Sequence, residues 1–127
     1  MKKIIDKCLN FIYFYKKTNK IFCMQYCIKQ LIELGKFPTA GESVNDPNGQ
    51  EHIEKVHSLI KEIRTPISNL EAIALATIFG EDGYFGLAQT LMHIIESAPD
   101  WPIKEIFKDS DNEWIRTLKH RARFIKN

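Results

Sequence analysis

Apolar residues recur every three or four positions through most of this 127-residue chain, and nowhere does a strand-like alternation outcompete that spacing. A helix brings every third and fourth side chain to one face, whereas a strand does so every second, so the pattern commits the chain to helices. Over residues 3–17, Ile5, Cys8, Ile12 and Tyr15 align, and Ile4 and Phe11 widen the stripe. Ile21, Met24, Ile28 and Leu31 align next, with Thr18 and Asn19 as N-cap candidates and Gly35 as a left-handed stop. Ile53, Val56, Ile60 and Ile63 share a third face, closed by Pro66. Ser68 and Glu71 then form a capping box, in which each side chain satisfies the other's orphan amide. The helix it opens, Leu70 to Phe79, is mostly Leu, Ile and Ala, so it is expected to be buried on most sides and central.

Gly80 ends that segment, and Tyr84 to Ala98 are expected to form the next helix with Leu87, Leu91, Ile94 and Ile95 inward. Pro99 and Pro102 frame a tight bend at Asp100-Trp101, with a short helix over 102–108. Asp109-Ser110-Asp111-Asn112 breaks it and caps a last helix carrying Trp114, Ile115, Leu118, Ala122 and Ile125. Residues 36–50 hold two prolines, two glycines and an Asn-Gly pair, which reads as a loop. It is long for a connection, and long connections are mobile or functional. Short turns elsewhere favour antiparallel neighbours. The expectation is an all-α single domain over 1–127, a helical bundle or short helical array of about six to seven helices.

The three cysteines, Cys8, Cys23 and Cys27, each sit among apolar neighbours. An odd count in that setting argues for buried thiols in a reducing compartment, hence the cytoplasm, and against a disulfide framework. Asp6 and Lys7 interrupt the start of an export-like N-terminus, and no apolar run approaches the ~20 residues of a membrane span.

Charge is unevenly spread. Residues 1–36 hold eight lysines and two acids, residues 37–102 three basic groups and ten acids, and residues 103–127 seven basic groups and four acids. The whole chain is therefore +2 with an acidic centre between basic ends. One reading is solvated helix faces; the other is an acidic surface for a basic partner.

Catalytic and metal chemistry find little purchase. His52 and His57 are five apart and fall on different faces of a helix, and His93 with Glu96 lacks a second pair to complete a site. Cys23 and Cys27 could share a face but have no further ligands nearby, so no metal and no cofactor is expected. Ser58 beside His57 points about 100° away from it on a helix, and no nucleophile elbow is present. The glycine-rich stretch Gly80 to Gly86 carries two acids and no lysine, which repels phosphate. The chain is therefore not expected to be an enzyme. Nucleic-acid binding is the competing reading, through Arg116, Lys119, His120, Arg121, Arg123 and Lys126, with a weaker set at Lys16, Lys17 and Lys20. Against it, the helix dipole alone favours a basic last turn, and the acidic centre opposes a polyanion.

Protein binding remains. Glu42, Asp46, Glu51 and Glu54 fall in or beside the 36–50 segment, where binding residues are often presented. Glu81 and Asp82 sit with Tyr84 and Phe85. Tyr84 is the candidate aromatic anchor, with a core position in the following helix as its alternative, and Phe85 is expected to be a core residue of that helix.

Gly83-Tyr84-Phe85-Gly86-Leu87-Ala88-Gln89-Thr90-Leu91, then His93 to Pro102, then Asn112-Glu113-Trp114 resemble small helical immunity proteins of bacterial polymorphic toxin systems, including contact-dependent growth inhibition. The resemblance covers about residues 66–127. It implies a cytoplasmic protein that binds one cognate toxin C-terminal domain, often a basic nuclease. The family has no shared catalytic residues to carry over.

Overall fold

The computed structural model describes residues 24–108 and 111–123, and no strand occurs among them. Six α-helices and two 3-10 turns make up the described chain: α1 (Tyr26–Leu34), α2 (Ala40–Asn45), α3 (Gly49–Glu62), α4 (Asn69–Leu75), η1 (Ala76–Ile78), α5 (Leu87–Ile95), η2 (Lys104–Lys108) and α6 (Glu113–Ala122). The all-α expectation holds. The segment at 3–17, the Thr18 and Asn19 caps, Cys8, Cys23 and the lysines at 16, 17 and 20 lie outside the described residues.

The helices pack in succession. α1 lies against α3 and α4, α2 against α3, α4 against α5, and α6 against both α5 and η2. α4 is central, as its composition predicts, with Leu70, Ala72, Ala74 and Leu75 buried. Around it Ile28, Leu31, Val56, Ile78, Leu91, Ile95 and Leu118 close one apolar core.

The Ile21-to-Leu31 stripe is not one uninterrupted helix, because Met24 and Gln25 stand outside α1. Gln25 is extended (φ −64°, ψ 144°) and spends its hydrogen bonds elsewhere. Its side-chain amide pairs with the Arg64 backbone, accepting from Arg64 N at 2.8 Å and donating to Arg64 O at 2.9 Å. Its backbone N–H donates to Glu71 Oε2 at 2.7 Å. Glu71 Oε1 meanwhile accepts from Ser68 N at 2.8 Å, completing the capping box. A carboxylate that is 2% exposed thus satisfies the amides at the starts of both α1 and α4. Burying a charge in this way is tolerable only because each oxygen has a donor.

Residues 36–50 are not simply a loop. Thr39 and Glu42 form a second capping box, with Thr39 Oγ1 accepting from Glu42 N at 3.1 Å and Glu42 Oε1 accepting from Thr39 N at 3.2 Å. The one-and-a-half-turn α2 follows. Gly49 lets α3 start hard against it, since a Cβ there would lie 1.9 Å from Ser43 O.

Candidate functional site

The turn between η1 and α5 is tied down from three directions. Phe37 N donates to Ile78 O at 2.9 Å. Asn112 Nδ2 donates to Phe79 O and Gly80 O at 3.2 and 3.1 Å, while its Oδ1 caps α6 by accepting from Trp114 N and Ile115 N. Trp114 Nε1 donates to Asp82 O at 3.2 Å. Gly80 is required by this crowding, because a Cβ would meet Phe37 O at 2.1 Å.

Asp82 is half-buried at the centre of the turn. One carboxylate oxygen accepts from Ala40 N at 2.9 Å, at the start of α2, and the other accepts from Tyr84 N at 2.9 Å. Its carboxylate thus joins two backbone segments, a structural duty beside the partner-surface role expected of it.

The backbone beyond it is left-handed. Tyr84 (φ 44°), Phe85 (φ 57°) and Gly86 (φ 85°) form one turn, in which Gly83 O accepts from Gly86 N at 3.0 Å and from Ala88 N at 3.2 Å. The helix expected from Tyr84 consequently begins at Leu87. A left-handed conformation costs a residue with a Cβ roughly 1–2 kcal/mol.

This handedness reverses the two aromatic assignments. Tyr84 is 1% exposed, packed with Phe37 (ring centroids 5.1 Å apart) and His52 (6.3 Å). It is a core residue and not a surface anchor. Phe85, expected in the core, is 57% exposed and touches the flank of the Tyr84 ring, at 5.8 Å between centroids. The Tyr84 hydroxyl is buried beside Ser43, and neither hydroxyl makes a hydrogen bond of good geometry. Burial pushes the Tyr84 phenol above its ordinary value. Val44, the neighbour of Ser43, is 78% exposed.

The other acids expected at a site do face solvent. Glu42, Asp46, Glu51, Glu54 and Glu81 are all exposed. Asp46 Oδ1 accepts from Asn48 N at 2.9 Å, and Glu54 Oε1 accepts from Gln50 Nε2 at 3.1 Å. None of the five pairs with a cation among the described residues, where the ion pairs converge on Glu96 instead. Glu42 and Glu81 also line an open cleft of 330 Å³ with Lys36, Phe37, Pro38 and Phe79.

The basic helix is less available than its sequence suggests. Arg121 grips Glu96 with two nitrogens, at 2.9 and 2.8 Å, and that carboxylate pushes the guanidinium pKa up. Arg116 and Lys119 on α6 and Arg123 at its C-cap remain exposed, and Lys126 lies outside the described residues. His93 Nδ1 sits 3.6 Å from Glu96 Oε1. Among the described residues no group of three His, Cys, Asp or Glu could hold a metal ion, and no helix is long and apolar enough to cross a membrane. Cys27 is a buried free thiol whose pKa burial pushes up, the reverse of an activated nucleophile.

Sequence reasoning missed α2 and Phe85. The first had a signal: Thr39 and Glu42 repeat the spacing of Ser68 and Glu71. Phe85 had only the flanking Gly83 and Gly86, which mark a turn without giving its hand. Comparison with protein-family models, with curated proteins and with solved structures finds no match to this chain.

Proposed function

We propose that this chain is an immunity protein, a non-enzymatic binder that neutralises a basic toxin domain by covering it with an acidic surface. The observation that carries the reading is the set of exposed carboxylates at Glu42, Asp46, Glu51, Glu54 and Glu81, none neutralised by a cation among the described residues. Glu42 and Asp46 also hold local backbone, but Glu51, Glu54 and Glu81 bind no backbone group and no cation among the described residues, and surface acids of that kind contribute little to folding. Glu42 and Glu81 share one cleft, and exposed carboxylates attract a basic partner and accelerate encounter. The resemblance of residues 83–102 and 112–114 to immunity proteins supplies the class of partner, and cytoplasmic residence would follow from it.

The test is neutralisation. The toxin domain encoded beside this chain's gene is expressed in a susceptible cell with and without the chain. Rescue of growth, and a purified complex of the two proteins, is the expected outcome. A variant with Glu51→Lys and Glu54→Lys should bind at least tenfold more weakly, a loss of ~1.4 kcal/mol. Those two side chains have no structural bond beyond the Gln50 contact, so its fold should be intact. A neighbourhood without a toxin gene, or a toxin the chain neither binds nor silences, counts against the proposal. Salt-sensitive submicromolar binding to mixed RNA and DNA would favour the basic helix instead.

A further inference from the structure

We infer that Phe85, with Val44 on the adjoining segment, is the apolar anchor of the partner interface, inserted into an apolar pocket whose rim on the partner is basic; this rests on the protein-binding role proposed above. Three observations converge. Phe85 and Val44 are two of the three large apolar side chains that stand exposed among the described residues, the other being Tyr26 on α1. They belong to adjoining segments, because Ser43 and Tyr84, the residues before each, are buried side by side, and Asp82 binds the start of α2. The acids Glu42, Asp46 and Glu81 stand on those same two segments, exposed and without a cation among the described residues. Lys36 shares the cleft of Glu42 and Glu81, so the rim is net acidic rather than of one sign, and a net acidic rim favours a partner whose own rim is basic.

The backbone gives the second half of the argument. Tyr84 is in the left-handed region too, but its buried ring offsets the strain. Phe85 carries the same strain with most of its ring in water. Strain that the chain's own packing does not offset marks a residue held for contact. Such a turn fixes the direction in which the side chain leaves the backbone, which limits the freedom lost on binding.

The experiment titrates the full chain, as wild type, Phe85→Ala, Phe85→Gly, Phe85→Tyr and Glu81→Gln, with the purified toxin domain encoded beside it. Calorimetry gives affinity, and surface-immobilised kinetics give rates. Phe85→Ala should bind about thirtyfold more weakly or worse, with the loss in dissociation rate. Phe85→Gly should bind as weakly although it relieves the turn, which separates loss of the ring from loss of the fold. Phe85→Tyr should stay within about tenfold of wild type, since the ring is kept. Glu81→Gln should act mainly on association rate and salt dependence. Affinity unchanged in both Phe85→Ala and Phe85→Gly overturns the anchor while leaving the immunity reading intact. Absence of binding by the wild-type chain overturns that reading and the anchor with it.

Discussion

Replacing Phe85 by alanine and, separately, by glycine measures the strain in the left-handed turn without reference to any partner. Both substitutions remove the ring. It is 57% exposed, so somewhat under half of its surface is buried in the fold. An aromatic side chain presents about 150–250 Å², and burial is worth about 25 cal/mol per Å², so each variant should lose about 2 kcal/mol or slightly less. The two then differ only in backbone. At φ 57° alanine keeps the penalty of about 1–2 kcal/mol that a Cβ incurs, whereas glycine escapes it. Glycine gives back about 0.5–1 kcal/mol through the greater freedom of its unfolded chain. The net expectation is that Phe85→Gly is more stable than Phe85→Ala by about 0.5–1 kcal/mol, or roughly 2–4 °C in Tm. At a helical or extended position the order would invert. Urea unfolding followed by circular dichroism at the helical minimum reads the difference directly. Phe85→Ala equal to or more stable than Phe85→Gly would refute the left-handed assignment and the strain argument. Gly86→Ala is an independent check: φ is 85° and a Cβ meets nothing within 4 Å, so any loss is torsional, about 1 kcal/mol.

Glu81 and Asp82 are adjacent acids with opposite duties. Asp82→Asn should cost about 1–2 kcal/mol in urea because one of its two backbone donors loses an acceptor, whereas Glu81→Lys should stay within about 0.5 kcal/mol of wild type. Asn112→Asp keeps the cap on α6 but turns a carboxylate oxygen toward Phe79 O and Gly80 O, so a loss of about 1–3 kcal/mol is expected in the same assay. Glu71→Gln should cost a similar amount, about 1–3 kcal/mol, since its amide nitrogen cannot accept from Ser68 N or Gln25 N. Burial raises Tyr84 above its ordinary 10.0 and Cys27 above 9.0, so the folded state holds those protons longer than the unfolded chain does. Their contribution is complete below those ordinary values and is lost as pH rises through the folded ones. Tyr84→Phe should therefore flatten the alkaline decline above pH 10, and at neutral pH it should be no less stable than wild type, because the hydroxyl it removes has no hydrogen-bond partner of good geometry. A marked loss at neutral pH would mean that the Ser43 contact is a true hydrogen bond.

Local sequence carried the helices because helical information is local. Spacings of three and four residues assign inward faces to Val56 and Ile60, to Leu91 and Ile95, and to Ile115 and Leu118, and all of these are buried. Ser68 and Glu71 marked the start of α4 for the same reason, and Gly80 marked the end of the segment that α4 and η1 form. The exposed acids at Glu42, Asp46, Glu51, Glu54 and Glu81 were also legible, because unpaired charge stays in water. The packing of distant segments governed the rest. The helix that carries Ile28 and Leu31 begins only after Gln25, whose hydrogen bonds go to Arg64, 39 positions away, and Glu71, 46 positions away. Asp82 is committed to the fold by Ala40, 42 positions away, and its carbonyl by Trp114, 32 positions away. Those bonds hold the turn in which the backbone becomes left-handed. In that turn Tyr84 is buried and Phe85 is exposed: the inward place of Tyr84 agrees with its spacing of three, seven and eleven from Leu87, Leu91 and Ile95, whereas Phe85 leaves the core place expected for it. Periodicity records which residues share a face only while the backbone stays regular, and the candidate anchor lies where it does not.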